Sequence, residues 1–174
     1  TSFDIISYAN VTSLIASEDG KLLFITYDNG QIQIYNLINR LDIQCILNYT
    51  LYDVTIHSSL KEMKDLSISL SPYNYQDDIK VIYCTLYELY ICHFIPEKQS
   101  FTIKQIIHIN DLGLLDQELS FKQVHFHTID TIDIVLSTLQ MVKYSLTNKK
   151  IVTDDTAINV QLVGDKIYPY KTNN

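Results

Sequence analysis

Two dipeptides do most to limit how this chain can fold. Asp19-Gly20 and Asn29-Gly30 each sit between two short apolar runs, and such pairs supply the positive φ values that a tight hairpin turn demands. The runs they separate, Val11–Ala16, Leu22–Tyr27 and Gln31–Asn36, read as successive antiparallel strands of one meander. A fourth run, Asp42–Tyr49, follows the polar Asn39-Arg40 pair. Four antiparallel strands in about forty residues make a unit the size of one propeller blade.

The residue types agree with strands throughout. Ile, Tyr, Thr and Val dominate the apolar runs, and β-branched and aromatic side chains fit a pleated surface better than a helix, where their χ1 freedom is lost. No window of helical length keeps a three-to-four apolar spacing; helical turns are expected only around Ser58–Lys64 and Asn110–Leu115.

The four-strand unit recurs loosely. One repeat offers Leu66–Leu70, a polar loop containing Pro72 and Asp77-Asp78, then Ile79–Cys84, Leu89–Phe94 and Phe101–Ile109. Another offers Leu119–His127, Ile132–Leu136, Met141–Leu146 and a short edge through Lys150–Val152. A last pair of runs, Ile158–Val163 and Lys166–Tyr170, flanks Gly164-Asp165. The expected fold is therefore all-β: antiparallel four-stranded meanders arranged as blades of a partial β-propeller, over 11–50, 64–109 and 119–155, with the start of a further blade over 157–171.

The stretch from Val11 to Leu37, with its Ser17-Glu18-Asp19-Gly20 turn, its Asp28-Asn29-Gly30 turn and its Ile32-Gln33-Ile34-Tyr35-Asn36 strand, resembles a WD40 repeat. Tyr35-Asn36 stands where that family has Trp-Asp. The sequence also departs from the family: it has no tryptophan, only four glycines, and no Gly-His pair ahead of any blade. In typical repeats a His, an Asp and the Trp form a hydrogen-bonded network. Asp28 takes the Asp position here without those partners, so the resemblance implies blades held mainly by apolar packing, with a Tyr35 hydroxyl in need of a partner.

Bulk properties exclude several classes. With 174 residues, 47% hydrophobic and 19% charged, the chain can bury a core and is not disordered. A net charge of −7 and a single arginine, Arg40, argue against a general nucleic-acid grip. No run approaches the roughly 18 apolar residues of a membrane helix, so no membrane insertion is expected. The chain starts at Thr1 and reads as an excerpt of a longer one. Cys45, Cys84 and Cys92 are odd in number and widely spaced, which fits reduced thiols and an intracellular setting, cytoplasm or nucleus. The sequons at Asn10 and Asn48 are read as chance triplets in a chain rich in Asn and Thr.

Few residues suggest chemistry. His125 and His127 share one strand face and could present two imidazoles, but Val124 and Phe126 mark the opposite face as core and nothing nearby completes a metal site. Cys92-His93 could suggest a nucleophile and its base, yet strand neighbours point to opposite faces. His57, His93 and His108 read as isolated surface or sheet residues. The aspartates fall in turns, where the side chain bonds its own backbone, and no Ca²⁺ loop, phosphate-cradling Gly-rich loop or nucleophile elbow is present. No cofactor, metal or small-molecule substrate is therefore expected.

Thirteen tyrosines are the unusual resource. Most should pack between blades, but Tyr73 and Tyr75, in a polar Pro-Tyr-Asn-Tyr-Gln stretch, are expected on a loop able to contact another protein. These features point to a non-catalytic WD40-like scaffold that docks other protein subunits of a larger assembly, its ring completed by further blades. The alternatives are a propeller enzyme or small-ligand binder with a central-channel site, and, less favoured by the acidity, an RNA-associated propeller using Lys149 and Lys150.

Overall fold

The computed structural model describes residues 9–50, 69–75, 78–114, 118–152, 158–163 and 166–170. Its strands form three antiparallel sheets. The first joins β1 (Val11–Ala16), β2 (Leu22–Tyr27), β3 (Gln31–Asn36) and β4 (Gln44–Thr50) in chain order. The second joins β5 (Ser69–Tyr75), β6 (Asp78–Cys84), β7 (Glu88–Ile95) and β8 (Ser100–His108), again in chain order. The third is built on β9 (Phe121–Phe126), β10 (Thr131–Leu136) and β11 (Gln140–Ser145), with β12 (Lys150–Ile151) and β13 (Ile158–Val163) both pairing with β11. β14 (Lys166–Tyr170) closes a hairpin on β13.

The turns carry the meander as their chemistry requires. Gly20 and Gly30 hold φ of 69° and 80°, the left-handed region that costs glycine nothing. Asp19 Oδ1 accepts from Lys21 N, and Asn29 Oδ1 from Gln31 N, so each Asx side chain bonds the backbone two residues on. Elsewhere the glycine-poor chain sends larger residues into that region: Gln99, Leu139 and Lys149 have φ of 48°, 61° and 54° at their turns.

Two regions differ from the reading of the sequence. The stretch from Pro72 to Tyr75 is strand, not loop, and β5 runs through it, pairing Pro72 with Val81, Tyr73 with Lys80 and Tyr75 with Asp78. Pro72 is tolerated because β5 is an edge strand of its sheet, where a missing N–H need not break a second ladder. The runs expected to begin a further blade over 157–171 do form a hairpin, but it is continuous with the third sheet: Ile158 and Asn159 pair with Met141 and Gln140. β12 and the start of β13 thus line different parts of the same β11 edge. The helical turn expected near Asn110 is a 3-10 turn over Ile109–Leu112. His108 caps it, its Nδ1 accepting from Asn110 N while Asp111 accepts from His108 N. The other expected turn, Ser58–Lys64, lies outside the described residues.

The sheets stack face to face with apolar layers between them. Leu22, Phe24, Ile32 and Ile34 of the first meet Val81, Tyr83, Cys92 and Phe94 of the second in one cluster. Ile82, Leu89, Ile91 and Ile107 of the second meet Val124, Ile132, Ile134 and Tyr144 of the third in another. A central sheet with one odd and one even set of side chains buried against different neighbours cannot be half-polar, which explains the unbroken apolar runs in β6 and β7. The first strands of successive sheets lie together, β1 against β5 and β5 against β9. This is the radial stacking of propeller blades.

Candidate functional site

The second and third blades part at one end of their shared face. The inward row of β6 and β7 is apolar at Ile82, Cys84, Leu89 and Ile91 but changes to Lys80 and His93, which are register partners. Across from them the third blade presents its β9–β10 and β11–β12 turns. The result is a cleft of about 340 Å³ lined by Lys80, His93, Lys104 and Asp130 among others.

Asp130 is committed within its own blade. Its carboxylate accepts from Thr147 N at 2.8 Å, from Ser145 Oγ at 3.0 Å, and from the Thr147 hydroxyl. Those bonds, the Thr147 hydroxyl first, hold its carboxyl below the usual range, with Lys80 adding to the effect. Lys80 Nζ crosses between blades to donate to the Ile129 carbonyl at 3.3 Å. His93 Nε2 lies 3.0 Å from Asp78 Oδ2. Beside the cleft, the half-buried Tyr73 ring packs on Phe126 of the third blade, centroids 5.3 Å apart. Tyr73 is therefore placed on the inter-blade seam; Tyr75 shares its strand, and its side chain is outside the described residues.

The other sequence candidates fall apart as chemical groupings. Cys92 is buried between the first two blades while His93 lines the cleft on the opposite face. Burial pushes the Cys92 thiol up to about 12 and the Cys84 thiol higher still, so neither is a nucleophile near neutral pH. His125 lies opposite Asp133 in the ladder, and Asp133 Oδ2 sits 3.3 Å from His127 Nδ1. The spacing of the histidines was legible; the carboxylate between them comes from the next strand and was not. Among the described residues no three His, Cys, Asp or Glu side chains are grouped to hold a metal.

The first blade also holds polar bonds the sequence did not reveal. Asn10 supplies the partner that Asp28 lacked: its backbone N–H and its side-chain amide donate to the two carboxylate oxygens at 3.1 and 2.9 Å. Gln33 Oε1 accepts from Tyr27 at 2.6 Å and from Tyr35 at 3.0 Å, all three side chains being buried. The Tyr35 hydroxyl thus has its partner inside the blade, and apolar packing is not alone in holding it.

One turn breaks the usual economy of exposure. Between β3 and β4, Ile38 and Leu41 are 70% and 87% exposed and flank Arg40. The turn is held in shape by Asn36 Oδ1 accepting from Ile38 N and Asn39 Oδ1 accepting from Leu41 N, so it presents two large apolar side chains on a fixed backbone.

No protein-family model matches the chain, and no curated protein matches it. Solved structures do. The chain is similar to Saccharomyces cerevisiae Sqt1 with a TM-score of 0.54 at 11% identity, over 83% of this chain and 34% of that one. It is similar to Kluyvelomyces marxianus Hsv2 with a TM-score of 0.53 at 11% identity, over 90% of this chain and 42% of that one. The RRP9 WD40 repeats match with a TM-score of 0.53 at 6% identity, over 88% of this chain and 42% of that one. The chain thus spans less than half the length of each, and its fold is that of a divergent WD40-like propeller segment.

Proposed function

We propose that this chain is a non-catalytic propeller scaffold that docks other protein subunits of a larger assembly. The observation that carries the reading is the β3–β4 turn, where Ile38 and Leu41 stand in solvent on a backbone already ordered by Asn36 and Asn39. Apolar groups on a preorganised tip lose little entropy on docking, and an arginine between them suits an interface anchor. Tyr73, at the seam of the second and third blades, and Tyr75, in the same strand, are proposed as a second contact. An intracellular setting accords with three free thiols, two of them buried.

The ring is completed by further blades. Val11 and Leu14 of β1 are 50% and 59% exposed on the face turned away from the second blade, where a neighbouring blade would cover them. A compact, monodisperse monomer of these residues alone, unfolding cooperatively, would refute that part of the reading.

The docking role is tested by affinity purification of the full-length protein carrying Ile38→Ser with Leu41→Ser, and separately Tyr73→Phe with Tyr75→Phe. Phe keeps the ring packed on Phe126 and removes only the hydroxyl. Loss of co-purifying subunits with an unchanged melting profile is the expected result. Full recovery of partners by both variants would reject these surfaces.

A further inference from the structure

The cleft between the second and third blades has unspent positive charge in a chain whose net charge is −7. Lys80 uses one of its three N–H donors on the Ile129 carbonyl. Lys104, an exposed residue of the outer strand β8, makes no hydrogen bond or ion pair with the described residues, yet it lines the cleft. Among the described residues, Asp130 is the one carboxylate in the lining, and its oxygens are occupied by Thr147 and Ser145. His93 Nε2 lies 3.0 Å from Asp78 Oδ2, at the edge of the cleft. Two ammonium groups against one carboxylate leave a single positive charge in this lining to be met, while Ile91 and Leu146 supply an apolar wall.

We propose that this cleft binds the carboxylate side chain of an acidic peptide segment, Lys80 and Lys104 donating to the carboxylate and the apolar wall taking its methylene stem. One carboxylate balances the site. A doubly charged phosphate would meet Asp130 with a surplus of negative charge. The inference goes beyond the scaffold reading, because it names the chemistry of a ligand and a site distinct from the β3–β4 turn.

The test is fluorescence anisotropy on the full-length protein, using a labelled, end-blocked peptide of glutamates separated by serines, with a glutamine-for-glutamate peptide as its neutral match. Charge-assisted hydrogen bonds set the scale: the glutamine peptide, Lys80→Met and Lys104→Met should each weaken binding about tenfold or more. Lys122→Met, an equal charge change on exposed β9 surface outside the cleft, should change it by less than about twofold. Lys104 is exposed, so its variant remains decisive should Lys80→Met disturb the inter-blade bond. Equal weakening by Lys122→Met, equal binding of the glutamine peptide, or binding of inorganic phosphate but not the glutamate peptide would each overturn the proposal.

Discussion

Gln33 offers the sharpest test of how the first blade is held. Its Oε1 accepts from two buried tyrosine hydroxyls, Tyr27 at 2.6 Å and Tyr35 at 3.0 Å. Gln33→Leu keeps the volume and removes the acceptor, leaving Tyr27, fully buried, with a stranded donor at a cost of about 1–3 kcal/mol. Tyr35 also interacts with the Cys45 thiol, so its share is smaller, and the variant as a whole should lose about 2–4 kcal/mol. Adding Tyr27→Phe and Tyr35→Phe removes the stranded donors together with their acceptor. The triple variant should therefore recover to within about 1 kcal/mol of the parent, because replacing all members of a polar group by apolar ones is close to neutral. Denaturant unfolding of the parent, single and triple variants measures both steps. A single variant as stable as the parent, or a triple variant no better than the single one, would refute the reasoning.

Leu139 sits at φ 61° on a turn and is over a third exposed, so Leu139→Gly should relieve left-handed strain and raise stability by about 0.5–1 kcal/mol in denaturant unfolding; a loss of stability would contradict this. The buried thiols give an alkaline limit. Burial raises both Cys84 and Cys92, so above about pH 8.5 the unfolded chain loses thiol protons that the folded one keeps. Stability then falls as pH rises through that value, by about 1.4 kcal/mol per pH unit for each thiol, until the folded groups themselves ionise. Unfolding measured from pH 8 to 10 should show this slope, and Cys92→Ala should halve it; a flat profile in the parent would count against the burial of these groups. Asp130 works in the opposite sense: its depressed carboxyl adds stability above its ordinary range that is lost on acidification. Asp130→Asn should therefore lessen the loss of stability between pH 5 and 3, and an unaltered acid profile would argue against the Thr147 bonds.

The meander was legible because its signals are local. Two Gly-containing turns and three intervening apolar runs fix β1 to β3 at the boundaries the structure shows. Where the chain closes turns without glycine, at Gln99, Leu139 and Lys149, no dipeptide marks the corner and only the apolar runs remained to read. Pro72 misled for a different reason: proline is a breaker in a central strand but acceptable on an edge, and edge status depends on sheet order. The alternation Tyr73, Asn74, Tyr75 was the signal that could have been weighed against it. The cleft was not legible at all. Lys80, Lys104 and Asp130 are far apart in the chain, and what brings them together is the stacking of one blade on the next.

That stacking is best probed through two aromatic pairs that span the seams. Tyr49 of the first blade lies 4.8 Å, centroid to centroid, from Phe101 of the second, and Tyr73 of the second lies 5.3 Å from Phe126 of the third. In protein labelled selectively at Tyr and Phe, ring-to-ring nuclear Overhauser effects should appear for both pairs and vanish individually in Phe101→Leu and Phe126→Leu. Radially stacked blades require both cross-peaks; their absence from a folded, strand-rich protein would contradict the architecture on which every site described above depends.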